Sequence, residues 1–221
     1  DYDAAKEALV QAVVLGCDNS GRAAYNIGYI HFQNGDYDKA RAAFADFVSA
    51  ANGEDAALVA DALNRIGDTY YYQRQFSTAE NYYSKAMETC SASADYPLFR
   101  SAITMGLNGN NSGKVEILQK LAESHPESNL LEETYYEMGR AYIEQKQYDD
   151  AILAYDKLIE LSPISPVARR AATEKAMIYN NMGDVDNAIK AYKHIIESYP
   201  ESEEADVAAQ DLKDVYIDRG M

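Results

Sequence analysis

One short phrase recurs along this 221-residue chain in fixed register, and it constrains the fold more than any other feature. Tyr2-Asp3-Ala4-Ala5, Tyr37-Asp38-Lys39-Ala40, Phe76-Ser77-Thr78-Ala79, Tyr148-Asp149-Asp150-Ala151 and Val185-Asp186-Asn187-Ala188 each place an apolar residue three before an alanine. A second apolar residue follows each alanine by four: Leu9, Phe44, Tyr83, Tyr155 and Tyr192. In the complete units a small residue stands twelve before the alanine: Gly28, Gly67, Gly139 and Ala176. Repetition at this spacing specifies a stack of helical hairpins, each touching its neighbours, with no central core. Such stacks present surfaces for binding rather than reaction centres.

Turn signals fall where that reading needs them. Asn34-Gly35-Asp36 and Met182-Gly183-Asp184 supply glycine inside a hairpin. Pro126, Pro163 and Pro200 stand twelve after the alanine slot, where the second helix must stop. Ser128, Ser165 and Ser202 follow each proline by two and are expected N-caps of the next helix. The helices expected are 3–15, 20–33, 37–51, 54–73, 76–90, 95–107, 111–124, 128–145, 148–161, 164–182, 185–198 and 202–218. They group as one array over 1–221: a half repeat 1–19, repeats 20–53, 54–94, 95–127, 128–163 and 164–201, and a terminal helix 202–221. Alanine spacings of 35, 39 and 37 put the extra residues at junctions such as Ala51-Asn52-Gly53-Glu54. The third repeat departs most, with Lys114 in the alanine slot and Ala102 in the small slot. Its loop Asn108-Gly109-Asn110-Asn111-Ser112-Gly113 is the expected place for local mobility. Asp1 and Met221 fall at one phase of the repeat, which suggests a piece cut from a longer array.

Charge narrows the partner class. Thirty-six acids against 20 Lys and Arg give a formal charge of -16. That disfavours nucleic acid and anionic membranes, both of which reward basic surfaces. No run of 18 apolar residues occurs, so membrane insertion is not expected. Cys17 and Cys90 lie two repeats apart, roughly 20 Å or more if helix layers sit 8–10 Å apart. A disulfide requires Cα atoms within about 7 Å, so two free thiols are expected.

Met138-Gly139-Arg140-Ala141-Tyr142 with Tyr148, Ala151, Tyr155, Leu158 and Pro163 carries a specific resemblance, as does Ile66-Gly67-Asp68-Thr69-Tyr70 with Ala79, Tyr83 and Ala86. The chain resembles a tetratricopeptide repeat protein over its whole length. The resemblance implies an all-α, right-handed α-solenoid of antiparallel hairpins. The tryptophan usual near the start of the first helix is missing; Ala24, Leu63, Leu98 and Tyr135 stand there. The long periods and Pro-x-Ser junctions are similar to repeats of Gram-negative envelope proteins, which suggests a periplasmic or envelope location, with the cytoplasm as the other. In this family the first helix of each hairpin lines a concave groove. The positions that correspond here are Tyr25, Asn26, Tyr29 and Phe32; Asn64, Arg65, Asp68, Tyr71 and Tyr72; Phe99, Arg100 and Ile103; Tyr136, Glu137, Arg140 and Ile143; and Thr173, Glu174, Met177 and Asn180. Aromatics and arginine, the residue types of binding hot spots, are concentrated there. The competing reading is that these tyrosines pack against neighbouring helices and the arginines pair with local acids.

Motifs for chemistry are weak. Gly109-Asn110-Asn111-Ser112-Gly113-Lys114-Val115 has three residues between its glycines and valine after the lysine, so it fits a turn rather than a phosphate loop. His31, His125 and His194 lie in separate repeats without the spacing of a zinc motif. His31 takes a slot held elsewhere by Tyr70, Tyr142 and Tyr179 and should pack or hydrogen-bond in the core. Acidic pairs such as Asp149-Asp150 sit at helix starts, where the dipole favours them. No enzyme, cofactor or metal is expected. The leading expectation is a scaffold that holds an apolar or acidic peptide or protein segment in its groove. The rival is a self-assembly element of an envelope complex, and the sequence leaves the oligomeric state open.

Overall fold

The computed structural model describes residues 20–51 and 55–218. These residues contain eleven α-helices, one 3-10 turn and no strand. The helices are α1 (Ser20–Gln33), α2 (Tyr37–Ala50), α3 (Ala56–Tyr72), α4 (Phe76–Thr89), α5 (Asp95–Leu107), α6 (Asn111–Ser124), α7 (Leu131–Glu144), α8 (Tyr148–Leu161), α9 (Pro166–Met182), α10 (Val185–Ser198) and α11 (Glu203–Asp218). The chain divides into two compact units, Asp1–Gly109 and Asn110–Met221, with the boundary inside the glycine-rich loop. The expected helix 3–15, Ala5, Leu9 and Cys17 lie outside the described residues. Cys90 is a free, half-buried thiol.

The repeated slots are the packing slots. Ala40, Ala79, Ala151 and Ala188 are fully buried, as are the large residues four later, Phe44, Tyr83, Tyr155 and Tyr192. The small residue faces that large one. A Cβ on Gly28 would lie 2.7 Å from the Phe44 ring, and one on Gly67 2.7 Å from Tyr83. On Gly139 it would sit closer still to Tyr155. Hydrogen at these positions lets the two helices of a hairpin approach until the ring lies on backbone. The core is accordingly a series of small clusters. In unit 1 Ala24, Ala40, Phe44, Phe47, Ala62 and Ile66 join α1, α2 and α3. In unit 2 Ala172, Ala176, Ala188, Tyr192, Ile195, Ala208 and Val215 join α9, α10 and α11.

Helix ends follow local chemistry. Asp55, Asn110, Ser165 and Asp184 accept from the amides of Ala57, Gly113, Ala168 and Asn187. Ser202 accepts from Ala205 N at 3.1 Å and opens α11. Caps at Asp55 and Ser165 start α3 and α9 two residues later than expected. Ser128 is a correction. It accepts from Leu130 N at 3.1 Å within a separate turn, and α7 begins only at Leu131. Gly35 and Gly183 take left-handed φ of 77° and 72° in their turns. Arg74 and Lys146 take φ of 59° and 60° in the equivalent turns, where a side chain is disfavoured. Lys114, in an alanine slot, is buried and ion-paired to Glu137 of α7. His31 is buried near the end of α1, its Nδ1 3.4 Å from Asp36 without hydrogen-bond geometry.

Candidate functional site

First helices carry the expected groove residues, and in each unit these are cross-linked by hydroxyls, carboxylates and guanidinium groups. In unit 1 the centre is Asp68 on α3, only 1% exposed. It accepts from Tyr83 and Tyr96, each at 2.8 Å. Arg65 Nη1 lies 2.7 Å and Arg100 Nε 3.1 Å from its two oxygens. Two turns earlier, Asp61 accepts from Tyr25 at 2.7 Å, from Tyr29 at shorter range, and from Arg65 at 3.4 Å. The guanidinium of Arg65 lies 4.6 Å from the Tyr96 ring centre and that of Arg100 3.9 Å from Tyr71. Two carboxylates thus meet two guanidinium groups, and α1, α3 and α5 are tied side to side.

Titration follows from this closure. Burial first, then the neighbouring carboxylates, push the hydroxyls of Tyr25, Tyr83 and Tyr96 well above the usual tyrosine range. Burial alone would lower Arg65 and Arg100, but Asp68 and the surrounding tyrosines outweigh it and raise both. Both guanidinium groups therefore stay charged at neutral pH.

Unit 2 repeats the device on α7 and α9. Glu174 accepts from Tyr136 at 2.6 Å and, at shorter range, from Tyr155. Burial and then Glu174 push Tyr136 up to about 12. Arg170 lies over the Tyr136 ring at 5.4 Å. Arg140 reaches Glu137 at 3.3 Å yet keeps 56% of its side chain exposed.

The expected groove residues therefore divide. Tyr25, Tyr29, Arg65, Asp68, Tyr71 and Arg100 form one connected network. Asn64 and Asp68, expected to face outward, are buried at 4% and 1%. Asn26, Tyr72, Arg140, Met177 and Asn180 are exposed, while Phe32, Phe99 and Tyr136 are half-buried. Clefts of about 490 Å³ in unit 1 and about 410 and 370 Å³ in unit 2 lie elsewhere. Each sits between a second helix and the following hairpin, lined for example by Val48, Leu63 and Tyr82 or by Tyr135, Met138 and Leu153.

Sequence reasoning missed Asp61, Tyr96 and the hydroxyl role of the buried tyrosines. A signal for the last was present. Two residues before the small slot stands a charged residue in four of the five repeats, Arg65, Arg100, Glu137 and Glu174, with Asn26 in the first. A tyrosine of the preceding second helix bonds to Glu174 and to Arg100 at this position.

Comparison with known proteins agrees with the fold. A tetratricopeptide repeat family model matches residues 19–92, and a second matches 136–203. The sequence has no significant match among curated proteins. The MamA protein shares the fold with a TM-score of 0.67 at 22% identity, over 83% of this chain and 93% of MamA. A tetratricopeptide repeat protein from Parabacteroides merdae gives 0.68 at 19% identity, over 91% of this chain and 74% of that one. YrrB, described as a tetratricopeptide repeat protein with an unusual peptide-binding site, gives 0.66 at 15% identity, over 93% and 99%. Hairpin slots, buried alanines and family matches converge: this chain is an all-α solenoid that belongs to the tetratricopeptide repeat family.

Proposed function

We propose that the protein is a non-catalytic scaffold that binds an extended peptide or protein segment along its first helices. Its family is one of protein-interaction scaffolds, and YrrB, of similar fold, is described as binding a peptide. The observation that carries the reading is the split between fixed and free side chains. In unit 1 Arg65 and Arg100 are ion-paired to Asp61 and Asp68, yet Asn26 and Tyr72 stay exposed and Phe32 and Phe99 half-exposed. In unit 2 Met177 is 50% exposed on the same helix as the tethered Glu174. Rigid support beneath an accessible apolar strip lowers the ordering cost of binding.

This division also refines the partner. Arg65 and Arg100 are already neutralised by Asp61 and Asp68, so they add little attraction for an acidic segment. Apolar side chains are the better complement, with acidic ones left to exposed arginines such as Arg140. Peptides selected on the whole chain from a random displayed library test this. Tyr72→Ala and Phe99→Ala should each weaken the selected peptides about tenfold; unchanged affinity in both variants removes the reading. Exposed Leu153, Ile164, Val207 and Ile217 in unit 2 favour self-assembly as the second reading. Light scattering decides it, since a monomer over a wide concentration range excludes assembly.

A further inference from the structure

Unit 1 carries a second aromatic feature at the turn end of its hairpins. Tyr37 at the start of α2 and Tyr72 at the end of α3 are stacked, 5.4 Å apart and 7° from parallel. Phe32 closes on both at 5.7 and 5.9 Å. Tyr71 continues the row 5.8 Å from Tyr72, and Phe76 lies 5.6 Å beyond it. Five rings thus form an unbroken ridge. Elsewhere in this unit Tyr25, Tyr29, Tyr83 and Tyr96 donate their hydroxyls to carboxylates. The hydroxyls of Tyr37, Tyr71 and Tyr72 have no hydrogen-bond partner among the described residues, and Tyr72 is 54% exposed.

Charge along this edge is also uneven. Asp36 is matched by Lys39 at 3.4 Å, and Asp38 by Arg41 and by Gln73 at 3.1 Å. Arg74, exposed in the turn between Tyr72 and Phe76, has no partner among the described residues. On a chain of net charge -16, this ridge carries an unmatched positive charge.

We propose that the ridge is the docking surface for a proline-rich, polyproline II segment that carries an acidic side chain for Arg74. The inference rests on the scaffold reading, because Phe32, Tyr71 and Tyr72 belong to the expected groove. A polyproline II strand has no internal hydrogen bonds, so its carbonyls are free to accept. The three unengaged tyrosine hydroxyls offer donors. Pyrrolidine rings pack flat on aromatic faces, the mode by which aromatic-lined surfaces take proline-rich ligands. Such a segment is already extended and loses little freedom on binding. Its carboxylate completes the charge that Arg74 leaves open.

Calorimetric titration of the whole chain tests this with an amidated proline decapeptide bearing one central glutamate. The same peptide with alanine for proline should bind at least about tenfold more weakly. Tyr72→Ala should cost a similar factor, with circular dichroism unchanged because the side chain is exposed. Arg74→Glu should cost about threefold to tenfold and flatten the salt dependence, and glutamine for glutamate in the peptide should cost the same. Equal binding of the alanine peptide, or no effect of either variant, overturns the proposal. No binding of the proline peptide also overturns it. In either case a library-selected peptide of other composition that Phe99→Ala weakens leaves the scaffold reading standing.

Discussion

Replacing Gly28 with alanine tests the packing rule on which the hairpins rest. A helix-interior glycine is intrinsically costly, so on propensity alone the change should stabilise by about 0.5–1 kcal/mol. The structure predicts the opposite sign. The added methyl would meet Phe44 at 2.7, 2.7 and 2.9 Å from three ring atoms, well inside contact distance. Phe44 is fully buried, with Tyr25 and Tyr29 packed edge-on against it at 5.8 and 5.3 Å, so the ring cannot swing away. Overpacking of this kind costs about 1–3 kcal/mol. Less the propensity gain, net destabilisation should be about 0–2.5 kcal/mol, near 1 at mid-range, read from urea unfolding by circular dichroism and from faster amide exchange in α1 and α2. A compensating change sharpens the test. The third repeat carries Ala102 and Leu118 at these two slots. Phe44→Leu should thus rescue Gly28→Ala, with a coupling energy of at least about 1 kcal/mol in the double-mutant cycle. Additive costs, or a stabilised single variant, would refute the claim that slot and ring are one packing unit.

Three further outcomes follow from the same contacts. Asp68→Ala should cost about 3–5 kcal/mol in urea unfolding, because it strands two guanidinium groups and two buried hydroxyls; a loss under 1 kcal/mol would show the network to be incidental. Lys146→Gly should stabilise by about 0.5–1 kcal/mol, since Lys146 holds a left-handed φ of 60° that Gly35 and Gly183 reach without strain; a lower melting temperature would contradict this. Alkaline pH should unfold the chain. Burial and carboxylate acceptors raise the folded-state values of Tyr83, Tyr96 and Tyr155, while the unfolded chain releases these protons near pH 10. Stability is full below about pH 10 and falls as pH rises toward the folded values, about 12 for Tyr136 and Tyr192. Absorbance at 295 nm should show exposed tyrosines titrating first and the buried set only as helicity is lost. One smooth transition with helicity intact would refute the assignment.

Packing was legible in the sequence because it depends on residue size at fixed offsets. A gap at Gly28, Gly67 and Gly139 opposite a large residue sixteen later needs no coordinates to be noticed, and coordinates place the two in contact. Helix starts were legible where one residue decides them, as at Ser165, and illegible at Ser128, where the same Pro-x-Ser pattern makes a turn before the helix. The difference lies downstream. Pro166 follows Ser165 at the first helical position and fixes φ for the helix, whereas Glu127 and Asn129 flank Ser128 and impose no such start.

The face was less legible because exposure on it is decided by pairing across helices. Arg65 and Asp68 share one face by spacing and look like one more surface ion pair. What buries Asp68 is Tyr96 and Arg100, 28 and 32 residues away. Neither partner could be assigned until α3 and α5 lay side by side. This changes which mutations speak to function. Arg65→Ala with Arg100→Ala, the natural choice from sequence, removes both countercharges of a buried carboxylate and would test folding first. Tyr72, Phe99 and Met177 carry no such duty, so a loss of binding at these positions reports on the partner itself.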